Sequence, residues 1–137
     1  MIHGPALLFC PADRPDRYAK ALAAADSVII DLEDGVGAAA KDAGRAALLA
    51  TPVDPGRVIV RVNAVGSTEF NADMDTLRKT AYRTIMLPKA ESRAQLDMLA
   101  DYQVVALVES ALGVLNVAEV AGAPTAATGG SRCTRGT

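Results

Sequence analysis

The chain has 137 residues, half of them hydrophobic, 22% charged and with a formal net charge of −2. This is the size of one domain with a substantial apolar core; the composition excludes disorder over most of the length and offers no basic excess for nucleic acid. Aromatic residues make up 4% and tryptophan is absent, so the core must be built from Ala, Val, Leu and Ile. No stretch approaches the roughly 20 apolar residues of a membrane span, and the opening Met1–Pro5 lacks the basic start of a secretory signal. Cys10 and Cys133 have no motif spacing, which suits a reducing compartment better than a disulfide or zinc framework. A cytoplasmic protein with no membrane or nucleic-acid partner is expected.

Five apolar, β-branched runs alternate with helical stretches. A strand is predicted at 6–10, followed by a helix at 15–25 whose Pro15 falls where a first turn tolerates proline. The next strand, 27–32, leads to a helix at 38–50 that Thr51-Pro52 should end, because the residue before proline leaves the helical region. A strand at 58–63 precedes a helix at 69–81, for which Ser67 and Thr68 offer capping hydroxyls. A strand at 84–88, a helix at 91–100, a strand at 104–109 and a helix at 111–121 complete the pattern, with Gly122 as a left-handed stop. Near-continuous hydrophobic strands between helices predict a parallel sheet covered by helices. In such folds chemistry sits just beyond the carboxyl ends of the strands.

Those exits carry polar residues. Val105, Leu107 and Glu109 share one side of their strand by its period of two, so Glu109 stands at the rim, as a hard oxygen donor for Mg²⁺ or as a favourable charge at a helix start. Ile59, Arg61 and Asn63 share a side of theirs. An arginine inside such a strand must pair with an acid or bind an anionic substrate. Asp31, Glu33 and Asp34 crowd one strand end and need a cationic counterweight, which Mg²⁺, Arg61 or Lys89 could supply. Asp31 and Glu33 should project to one side, Leu32 and Asp34 to the other.

Taken in order, Leu8-Phe9-Cys10-Pro11-Ala12-Asp13-Arg14-Pro15, Val28-Ile29-Ile30-Asp31-Leu32-Glu33-Asp34-Gly35-Val36, Val60-Arg61-Val62-Asn63, Met86-Leu87-Pro88-Lys89-Ala90-Glu91-Ser92 and Leu107-Val108-Glu109-Ser110-Ala111 resemble the citrate lyase β-subunit-like (HpcH/HpaI aldolase) family over about residues 5–122. The resemblance implies an α/β fold of the (β/α)₈ TIM-barrel type, here about five βα units in strand order 1-2-3-4-5, and an oligomeric lyase. It implies cleavage or formation of C–C bonds in 3-hydroxyacyl-CoA thioesters such as citryl-, citramalyl- or malyl-CoA. It implies Mg²⁺ held by Glu109, substrate contacts from Arg61, Lys89 and Glu109, a supporting acid at Asp34 and contacts to the CoA phosphates from Arg14, Arg17 and Lys41. The chemistry agrees with the chain's residues: retro-Claisen cleavage builds negative charge that Mg²⁺ and Arg61 would stabilise, and Asp34 is a candidate to move the hydroxyl proton.

The sequence also departs from the family. A sixth strand ending in a Gly-Ala-Glu-Asp-like motif is expected, but Thr128-Gly129-Gly130-Ser131-Arg132-Cys133 stands there without the acid. The barrel-like part is therefore placed at 1–122 and an irregular tail at 123–137, read as a truncation or an out-of-frame extension that would leave a weak or inactive lyase. Two other readings compete: a non-catalytic product of a damaged gene, and a flavodoxin-like ligand-binding domain, in which the strand order would reverse direction.

Overall fold

The computed structural model describes residues 3–124. Five strands, β1 (Leu7–Pro11), β2 (Ser27–Asp31), β3 (Val58–Arg61), β4 (Thr84–Leu87) and β5 (Gln103–Ala106), form one sheet. They lie in the order β1-β2-β3-β4-β5, every pair parallel. Strand order advances in one direction, as in a barrel wall, and this removes the flavodoxin-like alternative. The expected tail, with Cys133 and the 128–133 stretch, lies outside the described residues apart from Ala123 and Pro124. No helix among the described residues is long and apolar enough to cross a membrane.

The helices are α1 (Tyr18–Ala24), α2 (Lys41–Ala50), α3 (Phe70–Leu77), α4 (Arg93–Asp97), α5 (Ala111–Leu115) and α6 (Val117–Ala121). Every one is shorter than its sequence pattern predicts. The first two predicted helices begin as single 3₁₀ turns, Pro15–Arg17 and Ala38–Ala40. Pro15 does occupy the tolerated first turn, and α2 stops at Ala50 before Thr51-Pro52. Neither Ser67 nor Thr68 caps α3: Glu69 stands at its N-cap, and the Ser67 hydroxyl is buried without a hydrogen-bond partner. The single helix expected at 111–121 breaks at Asn116, whose amide side chain donates to the Glu91 carbonyl instead of facing solvent. Gly122 has φ −81°, so it closes α6 in the right-handed region and not as the left-handed stop expected.

The sheet has two unequal faces. Its outer face joins Cys10, Val28, Ile30, Val58, Val60, Ile85, Leu87 and Val104 to the helices through Tyr18, Leu48, Leu77, Leu96 and Leu99 in one apolar cluster. Burial of side chains of this size stabilises by about 1.5–3 kcal/mol each. The inner face holds a small cluster, Ile29, Ile59 and Met86, with Val105 and Leu107 against it. β2 is buried along its whole length, whereas Leu7, Leu8 and Phe9 on the edge strand β1 are exposed.

Candidate functional site at the strand ends

The register of the central strands builds the site. Asp31 on β2 lies directly opposite Arg61 on β3, at the carboxyl ends of both, on the side of Ile29 and Ile59. The two side chains meet as a fork: Arg61 Nε donates to Asp31 Oδ1 at 2.8 Å and Nη2 to Oδ2 at 2.6 Å. Asp31 also accepts from the amides of Glu33 at 2.8 Å and Gly35 at 2.7 Å. A Cβ at residue 35 would collide with that carboxylate, so the turn requires glycine there. Burial alone would raise the Asp31 pKa, but Arg61 and the two amides more than offset it and hold the carboxyl below its ordinary value. Arg61 in turn is raised, first by its hydrogen bond to Asp31. Its guanidinium carbon lies 4.9 Å from the centre of the Phe9 ring, a cation–π contact from β1.

Two residues beyond Asp31, Glu33 enters the same space. Its side chain is only 7% exposed, and Oε1 accepts from Lys89 Nζ at 2.7 Å. Oε2 stands 3.3 Å from Arg61 Nη1, in charge contact but not aligned as a hydrogen bond, so this buried oxygen has no hydrogen-bond partner. Hydrogen bonding to Glu33 raises the Lys89 pKa. Glu109 lies three residues past the end of β5, so the predicted strand to 109 is too long. Leu107 nevertheless continues the pairing to Leu87 and Ala90, which carries Glu109 to the rim. The Lys89 amide donates to Glu109 Oε1 at 3.1 Å. Lys89 is the one non-glycine residue with positive φ among the described residues, at 49°, a conformation that costs on the order of 1–2 kcal/mol.

Asp34 is exposed at the turn after β2 and raises the pKa of both Arg61 and Lys89 through its charge. Asp31, Glu33, Asp34 and Glu109 against Arg61 and Lys89 leave this cluster two charges negative. That surplus, the orphaned Glu33 oxygen and the exposed Glu109 carboxylate make a mouth able to receive a cation and, along the Nη1 edge of Arg61 that is in loose charge contact with Glu33, an anion.

Of the expected phosphate contacts, Arg14 and Arg17 sit at the exit of β1; Arg14 is paired with Asp16 at 3.0 Å, and Arg17 is exposed. Lys41 is placed differently from the phosphate contact expected of it. Its ammonium donates to the carbonyls of Leu32 and Glu33, both at 2.6 Å, and to Asn63 Oδ1 at 2.9 Å. With three acceptors matching its three N–H donors, it is an internal strut behind the acid cluster. The Cys10 thiol is buried, which raises its pKa, so it is not a reactive thiolate.

Sequence reasoning missed a second charged network on the outer side. Asp73 is fully buried. It accepts from Arg45 at 2.9 Å, from the Asn63 amide at 2.8 Å and from Asn63 Nδ2 at 2.7 Å. Arg45 also pairs with Asp42 at 2.6 Å and Glu69 at 2.9 Å. Burial alone would lower the Arg45 pKa, but these carboxylates raise it. A signal was available: Asp73 falls between Phe70, Met74 and Leu77 on the apolar stripe of α3, where a charge must have a buried partner.

The HpcH/HpaI aldolase/citrate lyase family profile matches residues 6–103. A citrate lyase subunit beta-like protein of Mycobacterium tuberculosis is 58% identical over 120 residues, covering 88% of this chain and 44% of that protein. The crystal structure of protein CitE from Mycobacterium tuberculosis, in complex with magnesium and acetate, superposes with a TM-score of 0.89 at 56% identity, over 90% of this chain and 52% of that one. A further CitE structure holds magnesium, acetoacetate and coenzyme A. The mitochondrial citramalyl-CoA lyase of Homo sapiens is 32% identical over 111 residues, covering 66% of this chain and 33% of that enzyme. The chain spans about half the length of the curated relatives it matches. With the strand order, the polar strand ends and these matches in agreement, the chain belongs to the HpcH/HpaI aldolase/citrate lyase family.

Proposed function

We propose that the chain carries part of the active mouth of a Mg²⁺-dependent carbon–carbon lyase that acts on a 3-hydroxyacyl-CoA thioester, of the citryl-, citramalyl- or malyl-CoA kind. The observation that carries this reading is the joint placement of Arg61, Glu33, Lys89 and Glu109 at one set of strand ends, where Asp31 and Asp34 add a surplus of negative charge. Relatives of the chain hold magnesium and coenzyme A in their structures, and relatives named for citrate lyase, citramalyl-CoA lyase and (3S)-malyl-CoA thioesterase share its sequence.

The residues present fit Mg²⁺. This ion takes one or two carboxylates and fills its other positions with water and substrate oxygen. Glu109 would hold it through the oxygen that the Lys89 amide does not engage. Among the described residues no group of three His, Cys, Asp or Glu is arranged to hold a metal by itself, so the substrate's own oxygens belong in the set. When bound, the ion would act as a Lewis acid toward the hydroxyl and carboxylate of the acyl group.

The chain's own residues supply the rest. Asp31 fixes the Arg61 fork so that the remaining Nη1 edge binds the acyl carboxylate and stabilises negative charge as it develops. Asp34, directly or through water, takes the hydroxyl proton. The bond between the hydroxyl-bearing carbon and the thioester α-carbon then breaks, and its electron pair passes to the thioester as an enolate that is protonated in turn. Lys89 neutralises Glu33 and adds positive charge for the acyl carboxylate. Arg14 and Arg17 hold the CoA phosphates. Cytoplasmic location and a homo-oligomer accompany this reading.

Binding of citramalyl-CoA by calorimetry, with and without Mg²⁺, tests the proposal, with product analysis separating acetyl-CoA (cleavage) from free CoA (hydrolysis). Mg²⁺ is expected to tighten binding about tenfold, worth roughly 1.4 kcal/mol, and Glu109→Gln to remove that increment. Affinity indifferent to both the metal and Glu109→Gln would sink the reading.

A further inference from the structure

We infer that Lys89 is a positioning residue whose left-handed backbone, independently of its ammonium group, aims the Glu109 carboxylate at the cation position. The inference deepens the proposed function and rests on its reading of Glu109 as the metal ligand.

The geometry separates two roles within one residue. Lys89 Nζ reaches back 2.7 Å to Glu33, which follows β2. Its amide reaches forward 3.1 Å to Glu109, which follows β5. One residue thus ties together acids that are 76 positions apart in the sequence. The φ of Lys89, 49°, sets the orientation of this amide relative to the chain that follows it. On either side the chain is anchored: Pro88 and Ala90 are buried, and the Ala90 amide donates to the Leu107 carbonyl at 3.0 Å. The turn is therefore held in place from both flanks, with the strained residue between them. Strain of this kind persists where surrounding structure over-determines it, and it concentrates at functional sites. With Oε1 engaged by the amide, Oε2 of the exposed Glu109 side chain is left as the oxygen that can ligate a cation. Without the amide, an exposed glutamate side chain would sample many rotamers and lose this preorganisation.

Substitution separates the backbone from the ammonium. Lys89→Gly and Lys89→Val both remove the positive charge. Glycine keeps the left-handed conformation at no steric cost, whereas a β-branched residue resists it. Mn²⁺ added together with pyruvate, whose oxygens complete the ligand set, and followed by its electron paramagnetic resonance signal, is the probe. The Lys89→Gly chain is expected to bind Mn²⁺ at least as tightly as the parent, because a repelling ammonium is gone. Lys89→Val is expected to bind about tenfold more weakly than Lys89→Gly, a ratio set by the backbone alone. Equal affinities of these two variants would overturn the inference, and so would a Lys89→Gly chain weaker than the parent. A parent chain that does not bind Mn²⁺ would overturn the Glu109 reading as well, which distinguishes the two failures. A second measurement covers a Lys89→Val chain that fails to fold. In the parent, Glu109→Gln is expected to shift the Lys89 amide proton upfield in a ¹⁵N-correlated spectrum, since a charge-assisted hydrogen bond becomes a neutral one. An unmoved Lys89 amide would overturn the inference.

Discussion

The two charged networks at the strand ends differ in how completely they are closed. On the outer side, Asp73, Asn63, Arg45 and Lys41 satisfy one another: both Asp73 oxygens accept, and the Asn63 amide and side chain both donate. On the inner side the Asp31–Arg61 fork is equally tight, but Glu33 keeps an orphaned oxygen, Arg61 keeps an edge in loose charge contact and Glu109 is exposed. The contrast teaches where to look for chemistry. A closed network fixes positions, and spare hydrogen-bonding capacity beside it marks where a ligand completes the set.

The sharpest way to break this contrast is to open the closed network. Asp73→Ala leaves the buried Arg45 without its innermost partner and the Asn63 backbone amide without an acceptor. A loss of about 3–5 kcal/mol is expected from uncovering a buried charge, read as a lowered urea midpoint. A change below about 1 kcal/mol would show that the outer network is not structural.

Acid comes next. Asp31 has a lowered pKa in the folded chain, so its contribution to stability is complete above the ordinary carboxyl value of 3.8. That contribution is lost as pH falls through the still lower folded value. Asp31→Asn should therefore reduce stability at pH 7 and flatten the dependence on pH below about 4. A variant whose acid limb runs parallel to that of the parent would contradict the lowered pKa.

The smallest effect sharpens the inner side. Phe9→Leu keeps an apolar side chain on β1 but removes the ring beneath Arg61. Cation–π contacts at exposed sites are worth about 0.5–1 kcal/mol, and Phe9 is half exposed. Thermal melting should register that modest loss, and an unchanged melting point would mean that Asp31 alone holds Arg61.

Much of this was legible in one dimension. The apolar runs located all five strands, including β2, which is buried along its whole length, and the edge strand β1, whose run is apolar although Leu7, Leu8 and Phe9 are exposed. The period of two placed Arg61 on the side of Ile59 but failed for Asn63, which lies past the end of β3 and joins Asp73 and Lys41 in the outer network. The crowding of Asp31, Glu33 and Asp34 demanded the cations that Arg61 and Lys89 supply. The helix ends were read less well. Apolar periodicity continues past the point where a helix is broken by a competing hydrogen bond, as Asn116 breaks the last one. The phosphate contact expected of Lys41 illustrates the same limit. A lysine near a strand end looks the same in sequence whether its ammonium points into solvent or takes three buried acceptors.

The order of strands and helices, the aliphatic core and the identity of the polar residues at each strand exit are determined by the sequence alone, because they follow from local periodicity and from the cost of burying charge. Which acid meets which base is decided only in three dimensions. The parallel register sets Asp31 against Arg61, and the left-handed turn at Lys89 brings Glu33 and Glu109 to a common mouth. Those pairings join residues tens of positions apart, and no local propensity encodes a distance that only the packed sheet creates.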